Sequence, residues 1–410
     1  MQQALEPDES IKNIYRFFYS VRAILSFWSA LIAPFWVVFF KEVGLSYTEI
    51  SLLIMVSYVV TLIFEVPTGA VADLWGRKLS VIISLLITGG SFIGIFLFFD
   101  SFPALLVLFA LQGFGGTFIS GAFSAWVADS LISSGAERDL TKYWGGLASG
   151  SQLGSVVGFL IGSALVFKEL FRHIWLISGL GTLLTAAYII IKGRESSNKG
   201  PNKNAVTIRE YIKTLLEGSI YLFKRKNLFL LTLASFFWYI STGILSLTWQ
   251  PYLVEQEVPK PFLGGVLIGY TVLGFLVARK AGALTRQARG ERKLLWFAGL
   301  GCGGLTLLMI AVKDFSWVPF VIYGGIVSLK EPVFQGYLNK FLPTQLRATI
   351  LSSHNMITSI STILSMITFG ATSDRLGLLT ALILSAIIMF VAATTFIVGL
   401  PISTKDEPGR

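Results

Sequence analysis

The stretch Gly69-Ala70-Val71-Ala72-Asp73-Leu74-Trp75-Gly76-Arg77-Lys78 closes one apolar run, 48–72, and leads into the next, 79–99. A charged decapeptide at the junction of two runs each long enough to cross a bilayer reads as a tight turn between membrane helices. Its glycines let two helix ends approach closely. Asp73 can cap a helix N-terminus or meet a cation, and Arg77 offers a two-pronged donor to a carboxylate. Outward from it, the 410 residues are 54% hydrophobic and only 14% charged, far below the roughly 25% charged residues of soluble chains. One cysteine, Cys302, excludes internal disulfides and thiolate clusters, and two histidines, His173 and His354, are too few for a histidine metal site.

A spanning helix needs about 20 apolar residues. Runs that meet this fall at 17–40, 48–72, 79–99, 103–127, 144–167 and 171–192. Six more fall at 228–253, 263–283, 293–312, 317–340, 348–371 and 378–401. The expected fold is an all-α membrane protein of twelve transmembrane helices in two pseudo-symmetric six-helix bundles. The first bundle is 1–192, the second 227–410, and 193–226 is a cytoplasmic linker. Within the linker, Ser196, Ser197, Asn198, Gly200, Pro201 and Asn202 are loop-formers, while 207–223 reads as an amphipathic surface helix.

The net charge of +10 does not point to nucleic acid, because the basic residues sit between apolar runs, where they set topology. With the N-terminus inside, lysine and arginine favour the inner loops about fourfold, which predicts both termini cytoplasmic in a bacterial inner membrane. The halves also echo each other. Gly282-Ala-Leu-Thr285-Arg286, closing on Gly290-Glu-Arg292-Lys293, occupies in the second half the place of Gly69–Lys78 in the first.

The decapeptide resembles the Gly-x-x-x-Asp-x-x-Gly-Arg-Lys/Arg signature of the major facilitator superfamily, found between that family's second and third helices. Glu65-Val-Pro67-Thr68-Gly69 and Arg347-Ala-Thr-Ile-Leu-Ser352 resemble one bacterial branch of it. The resemblance implies a monomeric secondary transporter for a small molecule, without cofactor or metal, driven by protons or another ion. It also implies that Gly69, Asp73, Gly76, Arg77 and Lys78 form a cytoplasmic gate, with Asp129 as partner of Arg77. Two departures stand against the drug–proton antiporter pattern. Phe109 replaces the arginine expected three residues before Gln112-Gly113, and the fifth run has no proline. Instead it carries Gly146, Gly150, Gly154, Gly158 and Gly162, a ladder suited to close helix packing.

Ionisable residues in mid-bilayer are costly and usually face a cavity. Lys330-Glu331, halfway along the tenth run, is the clearest case, with Gln335 following Glu331 by one helical turn. Neighbours on a helix diverge by 100°, so each of the pair is expected to have a partner elsewhere. Arg22 is the second case, able to neutralise Glu331 or grip an anion, and Glu65 shares a helix face with Asp73. Gln112, Tyr239 and Gln250 sit in polar stripes of the fourth and seventh runs, and His354 begins another in the eleventh. No nucleotide-binding loop or nucleophile elbow is present, which argues against an enzyme. The expected function is proton-coupled efflux of a drug-like or amphiphilic metabolite. The alternatives are uptake of a small polar solute, and a non-transporting membrane receptor or scaffold.

Overall fold

The computed structural model describes residues 7–137, 140–195, 208–343 and 346–398. Among them the regular structure is helical, without strands. In the first half the helices are α1 (Pro7–Ile32), α2 (Trp36–Glu42), α3 (Tyr47–Trp75), α4 (Arg77–Leu97), α5 (Phe102–Ser120), α6 (Ala122–Ser133), α7 (Leu140–Phe167) and α8 (His173–Lys192). The second half holds α9 (Ile208–Lys224), α10 (Lys226–Glu255), α11 (Phe262–Ala278), α12 (Ala281–Gln287), α13 (Glu291–Ala311), α14 (Trp317–Val327), α15 (Lys330–Asn339) and α16 (Arg347–Ile397). The linker residues read as loop-formers all lie outside the described residues, as do the inner-side charges Arg138, Lys405 and Arg410.

Nine of the described helices are long and apolar enough to cross a membrane, or ten if α11 and α12, bent by 62°, are one span. The count falls short of twelve for two reasons. The expected tenth run is broken at Ser328-Leu329 into α14 and α15, neither of which is long enough alone. The expected eleventh and twelfth runs are counted once because they adjoin in α16, yet they are two helices meeting at a kink. Gly377 (φ 84°, ψ 166°), one residue before the expected start of the twelfth run, leaves helical geometry, a conformation that glycine tolerates.

The chain forms two compact units, one of Met1–Gly44 with Leu53–Ile208, the other of Leu45–Leu52 with Arg209–Arg410. The first residues of α3 therefore belong with the second unit. There the backbone N–H groups of Tyr47 and Thr48 donate to the two carboxylate oxygens of Asp374 at 2.9 and 2.8 Å. Ser46 and Glu49 form a reciprocal capping box on the same turn.

The core of the first unit is aromatic. Trp126 is fully buried, edge-on to Phe17 and Phe18, among Val21, Phe123, Leu131 and Ile189. In the second unit Ile240, Ile244 and Ala381 pack together. Beside them Ser241 and Ser385 exchange hydrogen bonds, each hydroxyl to the other's carbonyl at 2.8 and 2.9 Å. In an apolar medium such pairs hold helices that the hydrophobic effect cannot.

The glycine ladder of α7 lies against α1. A Cβ at Gly158 would stand 2.6 Å from both the Phe27 carbonyl and the Ala30 methyl, and one at Gly162 would stand 2.7 Å from the Leu31 carbonyl. At Gly154 it would collide with the Ala23 carbonyl. Only a bare backbone permits this approach, and Ser26 and Ser151 then close to 2.6 Å.

The echo between the halves has a structural counterpart. Gly76 (φ 105°) precedes α4 and Gly290 (φ 136°) precedes α13. Lys78 Nζ donates to the carbonyls of Ile190 and Gly193 at the end of α8. Arg292 does the same to Phe396 and Ile397 at the end of α16.

Candidate functional site

In the second unit, the break before α15 has a local cause. Pro332 has no N–H with which to continue the ladder from Ser328, so the hydrogen-bonded run lapses at Ser328-Leu329 and resumes with the proline in its first turn. The break makes Lys330 and Glu331 the opening residues of a new helix, where a carboxylate is favoured by the helix dipole. Lys330 is buried, with Nζ 3.3 Å from Glu331 Oε2. Its ammonium also lies over the rings of Tyr239 (4.1 Å) and Phe334 (4.5 Å). Two desolvated cation–π contacts, each worth on the order of 2 kcal/mol, offset the cost of burying the charge.

Glu331 has a half-exposed side chain and is held on both oxygens. Tyr239 Oη donates to Oε2 at 3.0 Å and Gln335 Nε2 donates to Oε1 at 2.8 Å. Behind Phe334, His354 is buried and stacked on the phenyl ring at 5.1 Å, with Nδ1 lacking a hydrogen-bond partner among the described residues. The expectation that Lys330 and Glu331 diverge is corrected here. They meet because the flexible lysine stem folds over the first turn, which makes Lys330 a cation on Glu331.

The first unit contains a cavity of about 530 Å³ between α1, α3, α4, α5, α7 and α8. Its wall includes Arg22, Ser29, Ser84, Gln112 and Ser155, and it holds no acidic side chain. A second cleft of about 470 Å³ is lined by Glu65, Thr68, Gly69, Asp73, Arg77 and Ser120. Beside it Arg77 Nε lies 3.0 Å from Asp129 Oδ2. Asp73 is exposed and caps no helix among the described residues. The carboxylate at the N-terminus of α4 is that of Glu195, which accepts from the backbone N–H of Arg77 at 3.0 Å and of Lys78 at 3.1 Å. The positive φ of Gly76 exposes these two N–H groups, and a Cβ there would come within 3.1 Å of Glu195 Oε2. The indole of Trp126 donates to the Arg194 carbonyl at 3.0 Å, fixing the same segment.

The sequence of residues 18–366 matches the family model described as Major Facilitator Superfamily. The chain belongs to the Major Facilitator Superfamily. It is a membrane-embedded secondary transporter of a small molecule, not an enzyme. It is 24% identical over 400 residues to the uncharacterized MFS-type transporter YxaM of Bacillus subtilis (strain 168), covering 95% of this chain and 96% of that one. Among solved structures it is similar to the nucleoside transporter NupG (TM-score 0.77, 13% identity, 95% and 98% of the two chains). It is also similar to an auto-inhibited peptide transporter of the POT family (TM-score 0.74, 12% identity, 97% and 99%).

In this transporter the structure brings Glu331, Lys330, Gln335 and Tyr239 together, and Arg22 with Gln112. Gln250, buried in α10, stands about 16 Å along the helix from Tyr239 and outside that cluster. Glu65 lines the cleft with Asp73 and Arg77. Sequence reading missed Glu195, Asp374 and the aromatic faces around Lys330. Phe334, one helical turn beyond Lys330, was the available signal for the last.

Proposed function

We propose that this transporter is proton-coupled, with Glu331 as the group that takes up and releases the proton, and that it exports a small amphiphilic molecule by alternating access. The observation that carries this reading is the half-exposed Glu331 carboxylate held by Lys330, Tyr239 and Gln335. Ionised, it neutralises the buried ammonium and accepts two hydrogen bonds. Protonated, it loses its charge, leaving Lys330 with its aromatic faces and freeing the donors of Tyr239 and Gln335. A proton and a donor-bearing substrate therefore compete for one carboxylate, which is the logic of exchange.

The inner-loop excess of lysine and arginine supports cytoplasmic termini in a bacterial inner membrane, with 1–192 and 227–410 as the moving bundles and 193–226 as the link. The Arg77–Asp129 pair and the Glu195 cap support Gly69–Lys78, with Gly76, as the cytoplasmic gate. A second reading, uptake of a small polar solute, is favoured by the hydroxyl-rich wall of the first unit's cavity. Neighbours described as nucleoside and peptide transporters fit that reading.

The test is flux in proteoliposomes with an imposed pH gradient, run in both directions over a compound panel. Gradient-driven efflux is expected, and Glu331→Gln is expected to cut it at least tenfold and flatten its pH dependence. Normal flux with an unchanged pH profile in Glu331→Gln removes the carboxylate from the mechanism. Accumulation instead of efflux favours the second reading.

A further inference from the structure

We infer that the substrate carries an anionic group, a carboxylate or phosphate, and that Arg22 receives it in the first unit's cavity. The inference rests on the transporter reading and adds the chemical class of the cargo. Arg22 stands eleven residues into the span that begins at Ile11, and its side chain is exposed to the cavity. It makes no hydrogen bond or ion pair with another described residue. Three other arginines at the span ends of the described residues are satisfied. Arg77 pairs with Asp129, Arg172 bonds to the Phe96 carbonyl and stacks on Phe99, and Arg292 bonds to two carbonyls.

A guanidinium within a membrane span is expensive and persists where it has something to meet. Its planar fork of donors matches carboxylate or phosphate oxygens two at a time. The cavity wall supplies no competing carboxylate and no second cation. Gln112 Nε2, on the same wall, is enclosed and has no acceptor among the described residues, so a second donor awaits one. Around these two, Ser29, Ser57, Ser84, Thr88 and Ser155 line the space, with hydroxyls that make no hydrogen bond to described residues. The volume falls within the range of small-molecule sites. A cationic substrate group at this position would meet Arg22 as a like charge, which is penalised.

The experiment measures binding to the purified full chain in nanodiscs without any gradient, so its outcome does not depend on whether Glu331 couples to protons. The probes share one scaffold: 3-phenylpropionate, phenethyl phosphate, phenethylamine and 2-phenylethanol. At least one of the two anions is expected to raise the melting temperature in a saturable way, while the amine and the alcohol do not. Arg22→Gln should weaken that binding tenfold or more, and Arg22→Lys should recover part of it. Equal shifts with the alcohol, binding retained in Arg22→Gln, or no response to either anion overturns the inference. So does a parent protein that responds only to phosphatidylglycerol in the nanodisc, which assigns Arg22 to lipid headgroups. Should Arg22→Gln not remain monodisperse, the selectivity of the parent together with Arg22→Lys decides.

Discussion

The two units each hold a cation among apolar helices, and they treat it in opposite ways. Lys330 is 4% exposed, sandwiched by Tyr239 and Phe334 and paired with Glu331. Arg22 opens on a cavity, has no partner among the described residues, and is surrounded by small hydroxyls. A caged charge is part of the packing, and its removal leaves a void and a carboxylate without its counter-ion. An open charge contributes little to the fold and is available to a ligand. Stability and transport should therefore separate at these two positions.

Lys330→Ala should show the largest effect, a loss of about 2–4 kcal/mol, because it deletes a buried stem together with both ring contacts. Thermal unfolding of the purified protein reads this directly. Lys330→Met fills most of the same volume, so it should recover most of that stability while leaving gradient-driven flux abolished. If Met and Ala unfold alike, packing is not what the lysine stem supplies. Next comes Gly154→Ala, where the new methyl meets the Ala23 carbonyl and α1 must move from α7. A loss of about 1–3 kcal/mol is expected, with weaker anion binding in the cavity that Arg22 lines.

Tyr239→Phe keeps the ring over Lys330 and removes only the hydrogen bond to Glu331. It should cost about 1 kcal/mol and displace the pH profile of transport without abolishing it. The smallest effect belongs to Arg22→Met, which should unfold within about 0.5 kcal/mol of the parent, as surface changes do. A destabilisation matching that of Lys330→Ala would erase the contrast between the units.

Much of this was legible in the sequence because membrane insertion writes itself in composition. The apolar runs, the charges between them and the signature Gly69–Lys78 are local features, and local features survive reading one residue at a time. Lys330 and Glu331 stood out for the same reason, as charges where lipid forbids them. What was not legible depends on distance along the chain. Glu195 caps α4 from more than a hundred residues away, and Asp374 caps α3 from more than three hundred. No periodicity announces either. The break in the tenth run was misjudged because Lys330-Glu331 was read as a charged pair within one span and not as the opening of a second helix.

The contact of Gly154 with Ala23 has a consequence for how such a transporter can change over generations. Residue 154 faces the backbone immediately beside Arg22, so a single added methyl there repositions the guanidinium without altering any cavity-lining side chain. Selection for a new cargo has a route through this buried glycine as well as through the wall of the site. Variants recovered under such selection should cluster along the α7 ladder, and compensating changes should arise on the facing side of α1.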